Sequence, residues 1–459
     1  MSGAEAAATR GTTTEMVLAA AARAVLLVLA ALCAITAMSH GSRPVSAAQA
    51  PVVSINPGGS ASLSAAVRVA SRQITSKSNA TVRVNDPTAA IQLTLSIDPS
   101  LCPEGFVITD LPAGHMGAAI AGGDARGVYY GLGRLLRNST FGTSFATGSW
   151  RGRDAPALRG GFRAHYFALH FSNFYEAAPI EDVKTYIEDM ALWGVNTLIL
   201  PVPGPGSFPA GDSGTIAPDE PQIEPAINRS RILLQHAVDI GISAGFVFCP
   251  NLGYDSGHFL NHTKTGHSPF PFTPFPDPLH VRGHSGALSC GFKGESYLLE
   301  VRQQMFKRFA DIPIDWMESW PYDTGGCGCE DDWPWGAKGY PRLSSKMATM
   351  ARRMFPNLKM IGSTWCFDKP ILNSSEYVGL DSYIRAERAT RNASNFTYVM
   401  VDDHGDFPRW PLDHGGGQVG GLSLVNFPEI SMWGRSPVRR WPLPNIANLV
   451  LQFHVAVVT

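Results

Sequence analysis

IEDVKTYIEDMALWGVNTLILPVP, residues 180–203, is the stretch of sequence that decides the fold. Residues 180–194 carry apolar side chains at helical spacing, and residues 196–203 form a short apolar run typical of a buried strand. This alternation continues to residue 429, and parallel strands need such helical crossovers. We therefore predict a parallel sheet with strands at 162–171, 196–203, 244–250, 314–320, 358–365, 396–403 and 421–429, and helices at 180–194, 225–241, 295–311 and 343–356.

Seven candidate strands favour a (β/α)8 TIM-like barrel over an open doubly wound sheet. No Gly-rich phosphate-binding turn follows a strand, which also argues against a dinucleotide-binding fold. In the predicted barrel domain, residues 158–459, the last segment, 446–459, is predicted as one more helix or strand with nothing after it. Either the eighth unit is minimal, or the chain is a truncated product and the barrel is incomplete at its C-terminus.

Residues 51–147 have a shorter and more mixed pattern, which predicts a small α+β domain in front of the barrel. This unit is too small for a typical enzyme site of its own, and a Gly/Pro/Arg-rich linker follows it. Its predicted elements are helices at 61–73 and 125–139 and strands at 90–97, 105–112 and 117–124.

Residues 1–50 contain an apolar run at 24–38, behind Arg23 and ahead of a small-residue stretch. This is the pattern of a signal peptide or, counted from Val17, of an uncleaved signal anchor that would tether the chain through residues 17–38. N-x-S/T sequons are also more frequent than chance pairing gives, which favours a glycosylating secretory route and a secreted or membrane-anchored protein. They begin at Asn79, Asn138, Asn228, Asn261, Asn373, Asn392 and Asn395.

The charge composition indicates which kinds of ligand the protein binds. Lys+Arg (37) and Asp+Glu (38) nearly cancel and no basic stripe occurs, which argues against nucleic acid and favours a neutral or carbohydrate ligand. The sequence implies no cofactor. In an oxidising compartment six cysteines could all pair, with a connectivity that sequence does not choose: Cys102, Cys249, Cys290, Cys327, Cys329 and Cys366.

The segment RGVYYGLGRLLRN, residues 126–138, follows GFVITDLP and a strand that ends in GGD. This arrangement resembles the non-catalytic second domain of the β-N-acetylhexosaminidases, family 20 of the glycoside hydrolases, which related α-glucuronidase-like enzymes share. LRGGFRAHYF, residues 158–167, resembles the Arg-Gly opening of that family's barrel. The resemblance implies glycan chemistry and a role for Arg159 in hydrogen bonding to sugar hydroxyls.

The chain departs from the family at the fourth barrel strand, where family 20 enzymes carry an adjacent Asp-Glu pair. Here the sequence is Glu318-Ser-Trp-Pro-Tyr-Asp323. The resemblance therefore implies the architecture and glycan chemistry, and it does not imply substrate-assisted hydrolysis of an N-acetyl sugar.

Glycosidic cleavage needs two carboxyls, and barrel enzymes hold their catalytic residues at the carboxyl ends of the strands. Glu318 and Asp323 are the leading candidates, because they lie at and just after strand 314–320. Asp323 lies between Trp320 and Tyr322 on one side and a Gly-Gly turn on the other, where it could also act only as the cap of that turn.

A second cluster, Asp402-Asp403-His404, ends strand 396–403. These residues could pair as acid and base, hold a divalent ion or belong to a solvated loop. Glu429 and Asp368 are weaker candidates at other strand ends.

Seven of the ten tryptophans lie at or near predicted strand ends, where indole faces can stack on pyranose rings. His165 on the first barrel strand could reach the substrate or could be a hydrogen-bonded core histidine. The predicted substrate-binding residues are Arg159, His165, Trp320, Tyr322, Trp365, Trp410, Glu429 and Trp433.

The sequence thus predicts a glycoside hydrolase that acts on glycans containing amino sugars or uronic acids. Two alternatives remain open: a catalytically silent carbohydrate-binding surface protein, and a metal-dependent hydrolase or deacetylase that uses His404, His414 and the nearby aspartates. For Cys327 and Cys329, disulfides are favoured over zinc, because their spacing is narrower than that of usual zinc ligands.

Overall fold

The computed structural model describes residues 50–156, 162–167, 169, 174–201, 223–250, 292–321, 332, 334–364, 367, 375–391, 393–401 and 420–423. Their elements belong to one compact unit, Pro51–Thr459, and form two sheets. Within these ranges no helix combines the length and hydropathy that a membrane crossing requires. The predicted signal or anchor at 17–38 lies outside them.

The first sheet consists of β1 Val52–Asn56, β2 Thr81–Val84, β3 Ile91–Ile97, β4 Phe106–Thr109, β5 Met116–Gly122 and β6 Gly152–Asp154. Its order is β2-β1-β3-β5-β4-β6; β4 is antiparallel to both of its neighbours, and the other pairs are parallel. The strands predicted from sequence, β3, β4 and β5, are confirmed. Because β6 comes from the predicted linker, this sheet extends to Asp154, past the expected end at residue 147.

The helices of the first sheet also follow the sequence pattern. A 3-10 turn, Ala61–Leu63, leads into α1, Ser64–Lys77, and α2, Ala125–Arg137, follows β5. The carboxylate of Asp124 accepts a hydrogen bond from the Gly127 amide at 2.8 Å and so caps the start of α2. The apolar positions of α2 that share one helical face are buried.

The second sheet consists of β7 Ala164–Tyr166, β8 Thr197–Pro201, β9 Ser243–Phe248, β10 Ile314–Ser319, β11 Lys359–Ser363, β12 Phe396–Val401 and β13 Gly420–Ser423. The strands lie side by side in chain order and every pair is parallel. In a doubly wound sheet the strand order reverses at a switch point, and helices cover both faces. In this sheet the order does not reverse among the described strands, so right-handed crossovers place all of the helices on one face. The seven predicted strands and their parallel arrangement are confirmed.

Among the described residues, six helices accompany the second sheet: α3 Phe174–Ala177, α4 Ile180–Leu192, α5 Glu224–Asp239, α6 Phe292–Lys307, α7 Gly339–Ala351 and α8 Ser375–Arg391. Four of them, α4 to α7, coincide with predicted helices. The sequence pattern did not predict α8, whose buried apolar side chains are Tyr377, Leu380 and Ile384.

The second sheet is strongly curled. The ring of Phe162, two residues before β7, stacks on the ring of Tyr398 in β12 with centroids 6.2 Å apart. Five strand spacings separate β7 from β12, which is about 24 Å in a flat sheet and too far for two side chains to meet. The face turned away from the helices is therefore concave, as in a partial (β/α) barrel. The predicted eighth unit, 446–459, lies outside the described residues.

Side chains of the curled sheet alternate between two cores, as strand geometry requires. On β8, Leu198 and Leu200 pack against the helices, whereas Ile199 belongs to a separate cluster on the concave side. On β9, Phe246 packs against the helices and Val247 lies on the concave side. We call the concave cluster the barrel interior.

Charged side chains join the first sheet to the amino ends of the barrel strands. Glu104, which is 2% exposed, accepts hydrogen bonds from Arg163, just before β7, at 3.0 Å and from Asn196, just before β8, at 3.3 Å. Arg126 of α2 donates to the carbonyl of Gly241, two residues before β9, at 3.0 Å. The first sheet thus contacts the amino edge of the barrel. The carboxyl edge, where catalytic residues of this fold class lie, is on the side away from the first sheet.

Two of the six cysteines expected to pair, Cys102 and Cys249, lie in the described part of the chain and form no disulfide with each other. Cys102 is a free thiol, so the expectation that all six could pair is wrong for this residue. Its sulfur packs over Gly105, where a β-carbon would lie 2.5 Å from it.

Candidate active site

The barrel interior combines aromatic rings with smaller apolar groups. Phe162, Tyr166, Trp316, Trp320 and Tyr398 provide the rings, and Ala164, Ile199, Val247, Cys249, Ile361 and Met400 surround them. The residues come from β7 to β12 or from positions next to these strands, so the curl of the sheet brings them together.

Glu318 projects into this interior. Its neighbours on β10 face the helices, because Met317 belongs to the helix-side core and the Ser319 hydroxyl lies 2.7 Å from the Ser344 hydroxyl of α7. Strand alternation then directs Glu318 to the same side as Trp316 and Trp320. Glu318 is 4% exposed and is the penultimate residue of β10, the fourth barrel strand, at the carboxyl edge of the sheet.

Three rings fill the interior toward the amino edge. Trp316 packs against Phe162 at 4.5 Å and against Tyr398 at 5.7 Å between ring centroids. Gly245 makes room for this packing, since a β-carbon there would lie 2.8 Å from the Trp316 β-carbon. The ammonium group of Lys359 covers the Trp316 ring at 5.1 Å. Burial raises the pKa of the Tyr398 hydroxyl, so this group stays protonated at neutral pH.

Two further rings of the interior meet near the carboxyl edge. The ring of Tyr166 meets that of Trp320 edge to face, with centroids 5.5 Å apart. The Trp320 amide donates to the carbonyl of Phe248, which fixes the chain just past Glu318 against β9. A carboxyl that lies between two indoles on one strand face can meet a sugar ring held by aromatic faces.

A buried cation supports the end of β9. Arg302 of α6 is 1% exposed and donates a 2.6 Å hydrogen bond to the carbonyl of Cys249, while its guanidinium lies 5.6 Å from the centre of the Phe248 ring. Burial lowers the pKa of Arg302 to about 10, which still leaves it charged at neutral pH. The Cys249 thiol belongs to the barrel interior. Cys249 directly follows Val247 and Phe248, which pair in register with Glu318 and Ser319.

Of the predicted site residues, the structure brings Glu318 and Trp320 together in the interior. The others, apart from His165, lie outside the described residues: the catalytic candidates Asp323, Asp402, Asp403 and His404, and the binding candidates Arg159, Tyr322, Trp365, Trp410, Glu429 and Trp433. Among the residues that the structure describes, no group of three or more His, Cys, Asp or Glu side chains could hold a metal ion.

His165 faces away from the barrel interior. It is fully buried among Phe167, Tyr175 and Tyr186, and its Nε2 lies 3.2 Å from the Tyr175 hydroxyl. The geometry thus supports the alternative of a hydrogen-bonded core histidine rather than a substrate-binding residue. Trp335 is one of the seven tryptophans that lie at or near predicted strand ends. It is fully buried in the helix-side core, where its indole N–H donates to the carbonyl of Pro321.

Tyr166, Tyr398 and Cys249 also belong to the interior and were not predicted from the sequence. Strand periodicity places Tyr166 opposite His165, so it assigns Tyr166 to the interior only once the helices are known to cover His165. Tyr398 and Cys249 cannot be assigned even then, because β12 carries a register irregularity and Cys249 lies just past the last residue of β9.

No protein-family profile matches the sequence, and no curated protein is significantly similar to it. Several solved structures are similar to the chain. A β-hexosaminidase of Streptomyces plicatus is 12% identical, with a TM-score of 0.49, and the similarity covers 77% of this chain and 71% of that one. A family 20 exo-β-N-acetylglucosaminidase of Vibrio harveyi is 11% identical, with a TM-score of 0.49 and coverage of 78% and 58%.

A third similar structure is a family 138 glycoside hydrolase that targets pectin rhamnogalacturonan II. It is 15% identical, with a TM-score of 0.45, and the chain spans 46% of its length. No role of a residue in this chain follows from likeness at this level. All three proteins are glycoside hydrolases, and the second belongs to family 20.

Proposed function

We propose that this chain is a glycoside hydrolase whose barrel interior holds the reacting sugar against Glu318. One observation carries the proposal: Glu318 lies inside the curl of a parallel (β/α) sheet, at the carboxyl edge of its fourth strand, between Trp316 and Trp320. Carboxyls at this edge perform the chemistry of barrel glycosidases, and aromatic faces bind pyranose rings.

Glu318 would serve as one of the two carboxyls that hydrolysis of a glycosidic bond requires. In this role it either protonates the leaving oxygen or acts as base or nucleophile on the sugar carbon. We propose Asp323, or the Asp402-Asp403 pair, as its partner, because these acids follow the ends of β10 and β12 in the sequence. The resemblance to family 20 and α-glucuronidase-like enzymes favours glycans that contain amino sugars or uronic acids.

Substitution of Glu318 tests the proposal directly. Glu318→Gln keeps the size of the side chain and removes its charge and its proton, so we expect kcat on a responsive 4-nitrophenyl glycoside to fall by about 10²–10⁴-fold. A panel that contains N-acetylglucosaminide, N-acetylgalactosaminide and glucuronide identifies the substrate class. Asp323→Asn, Asp402→Asn and Asp403→Asn in the same assay identify the partner carboxyl.

Glu300→Gln is the matched control, since Glu300 is exposed on α6 outside the barrel. We expect this variant to keep the wild-type kcat. Hydrolysis by Glu318→Gln at the wild-type rate, with the same fold by circular dichroism, would remove Glu318 from the mechanism.

A further inference from the structure

The described sequons differ sharply in their surroundings, although all have the N-x-S/T pattern. Asn79 and Asn138 are exposed, and so are their hydroxyl partners Thr81 and Thr140. Asn395, in contrast, is buried, at 9% exposure. An N-linked glycan is bulky and hydrated, so it can be carried only where the asparagine amide reaches solvent.

Asn395 is also committed to internal contacts. Its Nδ2 donates to one oxygen of Glu387 at 3.0 Å, and its backbone amide donates to the other oxygen, also at 3.0 Å. Arg352 donates to both its side-chain and its backbone oxygen. A sugar on Nδ2 would have to displace Glu387 and open the junction between α8 and β12, so the folded protein has no room for a glycan there.

The sequons of Asn79 and Asn138, in which both the asparagine and the hydroxyl residue are exposed, lie at one end of the first sheet. Asn79 follows α1, and its backbone amide donates to the carbonyl of Gly142 at 3.0 Å, in the loop that begins at Asn138. Asn138 ends α2, and its Nδ2 donates to the carbonyl of Arg134 at 2.8 Å. A glycosylated amide keeps one N–H, so this bond can persist while the sugar extends into solvent.

This end of the sheet includes an open strand edge. β2 begins two residues after Asn79 and, among the described residues, pairs only with β1. Val84 at its end is 53% exposed. Exposed edges invite pairing with a second chain, and bulky solvated groups beside them oppose it.

We propose that Asn79 and Asn138 carry N-linked glycans, which flank the open edge of β2, and that Asn395 carries none. The proposal rests on entry into the secretory pathway, which the N-terminal segment predicts, and it does not depend on the glycosidase activity. The reaction joins the asparagine Nδ2 to the first sugar of a lipid-linked oligosaccharide; the lipid diphosphate leaves, and one Nδ2 proton is released.

Three matched variants test the proposal: Thr81→Ala, Thr140→Ala and Thr397→Ala each remove one sequon and leave its asparagine in place. The full chain, with its own N-terminus, is secreted from eukaryotic cells and compared by gel mobility and intact mass before and after peptide-N-glycosidase treatment. We expect Thr81→Ala and Thr140→Ala each to lose one glycan, Thr397→Ala to keep the wild-type mass pattern, and all forms to converge after treatment.

Two results would overturn the proposal. One is an untreated Thr81→Ala or Thr140→Ala protein with the wild-type glycan content, including the case in which the wild-type chain carries no glycan. The other is loss of a glycan in Thr397→Ala, or a sugar-modified Asn395 peptide recovered from soluble, folded protein by mass spectrometry.

Discussion

His165 is fully buried beneath α3 and α4, and burial lowers the pKa of its imidazole from 6.5 to about 3. Between these two pH values the unfolded chain binds a proton that the folded chain does not. The contribution of neutral His165 to the free energy of unfolding is therefore fully present above pH 6.5. It decreases as the pH drops toward 3, by up to about 1.4 kcal/mol per pH unit. We expect His165→Gln to flatten this dependence in urea titrations between about pH 7 and pH 5.

His115→Gln is the control, because His115 is exposed in the turn before β5. It is expected to keep the wild-type slope of unfolding free energy against pH. A slope for His165→Gln equal to that of the wild type would contradict the burial argument.

For His165 and Glu318, the sequence does not predict which side of the sheet each side chain faces. Strand periodicity places neighbouring residues on opposite faces, but it does not say which face becomes the interior. That choice depends on the helices. Tyr175 and Tyr186 cover His165, and the contact between Ser319 and Ser344 turns Glu318 inward. Neither contact is visible in the sequence before the helices are placed.

At the scale of the element, the two halves of the chain meet where α2 crosses the end of α4. A β-carbon on Gly133 of α2 would lie 1.8 Å from the carbonyl oxygen of Leu192, and Arg137 donates to the same carbonyl at 2.7 Å. Helix propensity alone predicts that Gly133→Ala stabilises the protein by about 1 kcal/mol. The close backbone approach predicts the opposite sign, a loss of about 1–3 kcal/mol or more.

Thermal unfolding of Gly133→Ala and Gly133→Ser tests this packing. We expect both variants to have a lower Tm than the wild type, with Gly133→Ser at least as low as Gly133→Ala because its side chain is larger. An unchanged or raised Tm for Gly133→Ala would show that the two helices do not approach each other so closely.

Most elements were predictable, because buried strands are short apolar runs and the early helices have wide apolar faces. Two of the elements that were not predicted lack these signals, whereas β1, which was not predicted either, is itself a short apolar run. α8 buries a narrow stripe within a largely polar sequence, and β6 is three residues long, with Arg153 and Asp154 exposed. β6 becomes a strand because β4 offers it a free edge, which is a property of the assembled sheet.

At the scale of the whole molecule, buried Glu104 links the first sheet to the barrel through Arg163 and Asn196. Glu104→Gln leaves the guanidinium of Arg163 without its carboxylate, and the side chain of Arg163 is only 15% exposed. We expect a loss of about 3–5 kcal/mol in the free energy of unfolding, measured by urea titration.

The control for this link is Asp110→Asn, since Asp110 also pairs with an arginine, Arg151, but its side chain is 78% exposed. Its loss is expected to stay below about 1 kcal/mol. Equal effects of the two substitutions would mean that Glu104 does not hold the two sheets together.

A crystal structure of the full chain with a bound sugar-lactone inhibitor tests the central claim most directly, since it reports on both the curl of the sheet and the role of Glu318. We predict a sugar ring at the carboxyl edge of the barrel, against Trp320, with the Glu318 carboxyl within about 3 Å of a ring substituent or the anomeric centre. A sugar bound away from this edge, or a Glu318 side chain that faces the helices, would contradict the account.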